Sequence, residues 1–243
     1  MHRLPVPDVH VQAGGVMATA AGRDLRILVA DDDAMVREAY RAFFARTDGF
    51  ELVGEATDGD EAFDAYVRLR PDCVLMDLQM PGASGVRGIH RITQAFPDAC
   101  CVALTTFGGQ DYVVAALRAG ASGYLLKDAG ADALRAAIRQ AVVGEMPLSP
   151  SVRQAVVASV RDGSGPMPGE EAPHLTAREA EVLSLVAGLS NAQIAARLFL
   201  SEGAVKQHLT RIGHKLGVTS RTQIVVRAIQ VGLLDPNELD VGD

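Results

Sequence analysis

The chain has no tryptophan, 5% aromatic residues and three cysteines in 243 residues. It also has no apolar run near the roughly 18 residues that a bilayer-spanning helix requires, which excludes an α-helical membrane protein. An odd number of cysteines argues against the disulfide framework of a small secreted domain. Cys73, Cys100 and Cys101 lie in apolar, strand-like runs and read as buried thiols. A signal-peptide core is missing as well: Pro5, Pro7 and Asp8 interrupt the segment after Arg3, so the cytoplasm is the expected location.

What is present is ample apolar material, 48% of the chain, and enough length for two ordinary domains. Charge divides them. Residues 23–161 hold 15 Lys+Arg against 19 Asp+Glu, whereas residues 174–234 hold 7 against 3. A basic small unit behind an acidic larger one suggests different partners, with nucleic acid the natural one for the basic unit.

Residues 1–22 lack periodicity and read as a disordered tail, with Met17 an alternative start. From residue 23 strand-like and helix-like runs alternate. Strands are expected at 26–30, 51–56, 73–76, 100–104 and 123–126, and helices at 34–46, 60–70, 85–95, 111–119 and 131–143. Five βα units give an α/β doubly wound, five-stranded parallel sheet covered on both faces, over residues 23–145. A connecting helix at about 149–160 and a Gly/Pro/acid linker fill 146–173. Only helical patterns follow in 174–235, an all-α four-helix unit, before a tail at 236–243. Thr176 with Glu179 fits a capping box, and Ser201 and Ser220 are candidate N-caps.

The sharpest chemistry lies at strand ends. Asp31-Asp32-Asp33 closes the run Ile27–Ala30, and Asp77 closes Cys73–Met76. In a parallel sheet both ends lie at the rim where ligands bind. Two carboxylates about 4 Å apart repel by roughly 4 kcal/mol at an effective dielectric near 20, so a cation or a function is implied. Asp33 is better suited to capping a helix than to binding. The run Gly82-Ala-Ser-Gly85 follows Pro81 and lacks the glycine spacing of a dinucleotide loop.

Residues 24–145 resemble response-regulator receiver domains, which are flavodoxin-like. The resemblance rests on Asp31-Asp32, Asp77-Leu-Gln-Met-Pro-Gly, Leu104-Thr105 and Gly123-Tyr-Leu-Leu-Lys127. It implies a phosphoryl group accepted on Asp77 from a sensor histidine kinase. It also implies Mg2+ held by Asp32 and Asp77 directly, by Asp31 through water and by the Gln79 carbonyl, a hard-oxygen set suited to that ion. Lys127 would hold a phosphoryl oxygen. Thr105 would turn toward another and make room for Tyr124 to move, a two-state switch.

Residues 174–234 resemble the LuxR-type helix-turn-helix of the NarL/FixJ regulators. The matching words include Leu175-Thr-Ala-Arg-Glu179, Gly188-Leu-Ser-Asn-Ala-Gln-Ile194-Ala195, Val205-Lys206-Gln-His208 and Lys215-Leu-Gly217. The recognition helix would run over 202–216, with Ile194, Ala195 and Leu198 packed against Val205, Leu209 and Ile212. Lys206, Gln207 and Thr210 lie on one side of it and face base edges. Asn191, Ser201, His208, Arg211, Lys215 and Arg221 are candidates for phosphate contact or positioning, although His208 is also readable as a packing residue. Gly203 and Gly213 weaken this helix by about 1 kcal/mol each relative to alanine. No aromatic interleaving occurs there, which disfavours single-strand stacking recognition. The family implies a homodimer on activation through the last helix, with Val225 and Ile229 as contacts; closing the unit's own core is the other use for them.

The expected function is therefore a two-component transcription regulator that is not itself an enzyme. One rival keeps the DNA unit and makes the front domain a constitutive dimerisation or ligand-sensing module. Another is an aspartyl-phosphate hydrolase, but Gln79 stands where such phosphatases carry an acid.

Overall fold

A computed structural model describes residues 23–82, 84–106, 110–145 and 172–235. The terminal tails, the expected connecting helix and nearly all of the linker lie outside the described residues. The front half runs β1 (Leu25–Ala30), α1 (Ala34–Phe44), β2 (Phe50–Ala56), α2 (Gly59–Leu69), β3 (Cys73–Asp77), α3 (Gly85–Ala95), β4 (Cys101–Thr105), α4 (Gln110–Arg118), β5 (Gly123–Leu126) and α5 (Ala131–Val142). All neighbouring strands pair parallel in the order β2-β1-β3-β4-β5. That order puts β1 and β3 side by side, so the two acid-bearing strand ends meet.

Every residue of β3 and β4 is buried, as expected for strands covered on both faces. The side chains of alternate residues feed two cores. Leu28, Val74, Met76 and Ala103 enter one with Ile89 of α3 and Leu117 of α4. Ile27, Val29, Leu75 and Val102 enter the other with Phe44 of α1 and Ile138 of α5. The helices start where short polar side chains can satisfy free amides. The Asp33 carboxylate accepts from Met35 N at 2.8 Å, the capping role expected of it, and Asp58 accepts from Asp60 N and Glu61 N. Gly85 has a steric reason: a Cβ there would stand 1.8 Å from the Asp77 carbonyl oxygen. Only glycine lets α3 begin against the end of β3.

The back half is α6 (Ala177–Leu185), α7 (Asn191–Leu198), α8 (Glu202–Leu216) and α9 (Arg221–Gln230). Reciprocal capping boxes open three of them, through Thr176 and Glu179, Ser190 and Gln193, and Ser220 and Gln223. Ile194 and Ala195 of α7 share a core with Val205, Leu209 and Ile212 of α8, and Leu198 packs on its margin. The α8 helix is continuous despite its two glycines. Gly213 is required, because a Cβ would come within 2.7 Å of the Val218 carbonyl oxygen where the chain turns toward α9.

The halves touch through α9 and α4. Gln223 Nε2 donates to the Arg118 carbonyl at 3.2 Å, and Thr222 Oγ1 lies 3.5 Å from the Ser122 carbonyl. Val226 is buried in the front domain's α3/α4-side core. Val225 and Ile229 lie instead inside the helical unit's own core, 2% and 5% exposed. The expectation that they make dimer contacts is thereby corrected. At 100° per residue they share the inward face of α9, while Thr222 and Val226 share the outward one.

Candidate functional site

Parallel pairing of β1 with β3 and of β4 with β5 gathers four expected residues at one rim. Asp31, Asp32 and Asp77 each bring a carboxylate oxygen within 4.8 Å of the others. Lys127, one residue beyond β5, places Nζ 2.6 Å from Asp31 Oδ2 and 2.8 Å from Asp77 Oδ2. Asp31 and Asp77 are 1% and 5% exposed, while Asp32 faces solvent. The remaining oxygens are oriented by backbone: Asp31 Oδ1 accepts from Asp33 N and Asp77 Oδ1 from Gln79 N, each at 3.1 Å. Both carboxylates are thus fixed by a turn on one oxygen and share one ammonium on the other.

The electrostatics of the pocket is unbalanced. Burial pushes the Asp31 carboxyl above the usual carboxylate range, and the Lys127 ammonium only partly offsets this. Burial pulls Lys127 the other way, but its hydrogen bonds to Asp31 and Asp77 outweigh that and hold it above its ordinary value. One ammonium serving three acids leaves net negative charge at the rim. Hard carboxylate oxygens converging from two strand ends fit a divalent cation that takes oxygen ligands and retains water. Asp31, Asp32 and Asp77 would hold it, with Gln79 alongside.

Thr105 ends β4 fully buried, and Tyr124 at the second position of β5 is fully buried too. Burial raises the Tyr124 phenol, with Thr105 near enough to pull it partly back. The phenol lacks the alignment of a hydrogen bond. The ring thus stands inside beside Thr105, whose turning would change the space open to it. Beside Lys127, α1 and the start of α5 flank a cleft of about 540 Å³ lined by Met35, Tyr40, Thr106, Leu126 and Leu134 among others. Met35 is 82% exposed at its mouth.

On the helical unit, Lys206, Gln207, Thr210 and Arg211 form an exposed row on α8, and Ser201 caps that helix through Ala204 N. Three of the residues expected to contact phosphate or to position the unit make bonds within it. Arg221 is enclosed and donates to the Val186 carbonyl, the Leu189 carbonyl and Asn191 Oδ1. Burial holds its guanidinium down at about 10. Asn191 is itself buried. Lys215 Nζ bonds Glu179 Oε2 at 2.6 Å and the His174 carbonyl at 3.1 Å. Arg221 and Asn191 thus tie helices together, the positioning use rather than the phosphate contact of the two expected of them, and Lys215 does so while staying exposed. His208 is half-buried with Nδ1 enclosed and without a partner, which favours packing. The residues missed from sequence are Thr222, Gln223 and Val226 at the junction of the halves; the polar-apolar alternation on α9 marked an outward face without saying what covers it.

Comparison with known proteins agrees with this division. The model of the response regulator receiver domain matches residues 27–139, and that of the bacterial regulatory proteins of the luxR family matches residues 173–228. The transcriptional regulatory protein YhcZ of Bacillus subtilis, itself uncharacterised, is 40% identical over 210 residues, which are 86% of this chain and 97% of YhcZ. The chain belongs to the LuxR-type response regulators. LiaR of Bacillus subtilis is 39% identical over 84% of this chain and 96% of its own. Among solved structures, a LuxR-family two-component response regulator from Aurantimonas is 33% identical, with TM-score 0.52, over 57% of this chain and 99% of that one. RcsB, solved as two dimers bound to two DNAs, shares the fold at 23% identity and TM-score 0.50, over 86% of this chain and all of its own. This response regulator is a transcription regulator with a receiver and a DNA-binding helix-turn-helix. Among the described residues no helix is long and apolar enough to cross a membrane.

Proposed function

We propose that this response regulator accepts a phosphoryl group on Asp77 from a histidine kinase and binds operator DNA as a dimer through α8. The observation that carries the reading is Lys127 held between Asp31 and Asp77 beside an exposed Asp32, with an opening to solvent. An Asp77 carboxylate oxygen attacks phosphorus, the phosphorus–nitrogen bond of the phosphohistidine breaks, and the imidazole leaves with its electron pair. Lys127 is placed to exchange its bond to the Asp77 carboxylate for one to a phosphoryl oxygen. Asp31, Asp32 and Asp77 would hold Mg2+, which when bound neutralises charge that builds on the transferring group. Thr105 supplies a hydroxyl to another phosphoryl oxygen, and its turning changes what the buried Tyr124 phenol meets.

The acceptor acts on DNA binding through the junction. The outward face of α9 is occupied by α4, while the α8 row stays exposed. Phosphorylation would bias the β4–α4 side of the receiver and free that face for a second copy. The protein works with double-stranded DNA and a kinase in the cytoplasm.

The test is treatment with a small phosphodonor and Mg2+ followed by intact-mass measurement. Wild type should gain one phosphoryl group and Asp77→Asn none. Equal uptake by Asp77→Asn would remove Asp77 as the acceptor.

A further inference from the structure

Two residues other than glycine adopt positive φ among the described residues, Arg70 at +47° and Phe199 at +56°. Both cap the end of a helix in the left-handed region, where a Cβ crowds the backbone and glycine or asparagine is preferred. Arg70 has a use for the position: its guanidinium lies 3.9 Å from the Phe96 ring centroid and 5.9 Å from that of Tyr66. Phe199 has none among the described residues. It is 96% exposed, the most exposed of the large apolar side chains described.

The turn that presents it is fixed. Phe199 N donates to the Ala195 carbonyl, Leu200 N bonds that carbonyl at 2.8 Å, and Arg178 Nη2 of α6 holds the Leu198 carbonyl at 2.5 Å. Phe199 lies three residues before Glu202, within about 10 Å of chain from the first turn of α8. That turn leads the exposed row of Lys206, Gln207 and Thr210 toward the groove. A strained backbone that displays an aromatic ring to water, beside a surface that meets DNA, points outside the molecule for its reason.

We propose that Phe199 is an apolar DNA contact that packs on deoxyribose or a thymine methyl at the lip of the major groove. It anchors the turn while Lys206 and Arg211 supply charge. A neutral contact of this sort adds affinity without releasing counterions, so it is independent of salt. The inference rests on the DNA-binding reading of α8.

The probe is a 30-bp duplex that the wild-type full chain, treated with a small phosphodonor and Mg2+, enriches from a random pool, read by fluorescence anisotropy across a salt series. Phe199→Asn suits the left-handed cap and should melt at or above the wild-type temperature. It should bind about five- to tenfold more weakly, the scale of a partly buried aromatic side chain. Its slope of log affinity against log salt should match wild type, whereas Lys206→Ala should flatten that slope by about one. Phe199→Leu should recover most of the loss. Unchanged affinity of Phe199→Asn, or a flattened salt slope in it, would overturn the contact while leaving the DNA-binding reading intact. Failure of the phosphodonor-treated wild type to enrich any duplex would overturn the reading itself, and the contact with it.

Discussion

Lys127 and Lys215 each place an ammonium 2.6 Å from a carboxylate almost closed to solvent, Asp31 in the receiver and Glu179 in the helical unit. The chemistry is the same and the outcome opposite. Glu179 has one carboxylate for one lysine, and the Thr176 backbone N–H donates to it as well; the Lys215 hydrogen bond and then that N–H hold its carboxyl down to about 2. Asp31 shares its lysine with Asp77 beside a third acid, and burial leaves its carboxyl raised. A balanced pair is a staple between helices. An outnumbered lysine leaves a negative pocket whose charge is relieved only by something added. The stoichiometry of charge, more than the distance, separates a structural ion pair from a site.

That contrast can be broken from either side. The largest expected effect is on the helical unit through Arg221→Ala, which strands the Val186 and Leu189 carbonyls and the Asn191 amide. It should cost about 3–5 kcal/mol in urea unfolding; a loss below 1 kcal/mol would show that water replaces the guanidinium. Next comes Glu179→Gln, expected to cost about 2 kcal/mol at pH 7 after allowance for solvent screening. Glu179 titrates ordinarily near 4.5 and near 2 when folded, so its stabilisation is full above about pH 4.5 and fades as pH falls toward 2. Melting curves of wild type and variant should therefore converge across that window, and parallel curves would contradict the staple.

The receiver should respond with the opposite sign. A raised Asp31 carboxyl means the fold tolerates its charge poorly at neutral pH, a cost that disappears on acidification. Asp31→Asn should raise stability without Mg2+ and weaken the stabilisation that Mg2+ gives the wild type. A destabilised Asp31→Asn would make Lys127 a staple like Lys215. Smallest is the junction. Gln223→Ala removes the bond to the Arg118 carbonyl and should change global stability by less than about 1 kcal/mol. It should nevertheless speed amide exchange at the end of α4; unchanged exchange there would deny the junction any coupling role.

Much of this was legible in the chain itself. Apolar runs ending in Asp31 and Asp77, interrupted by helical periods, specify a parallel α/β sheet whose acids share a rim, because side-chain period and connection handedness leave few alternatives. Capping signals are local and so were readable: Asp33, Thr176 with Glu179, and Ser201 all act where their spacing implied. Tertiary structure alone decided the rest. Arg221, Lys215 and Asn191 look like surface polar residues in a basic helical unit, yet each closes a long-range contact, across 41 residues for Lys215 and His174. Which way α9 turns Val225 and Ile229, what covers Val226, and that Tyr124 already lies inside were equally invisible, since periodicity tells that a helix has faces and packing determines which neighbour each face meets. The same reason leaves Phe199 conspicuous: composition shows only a phenylalanine, and the fold shows one that no described residue covers.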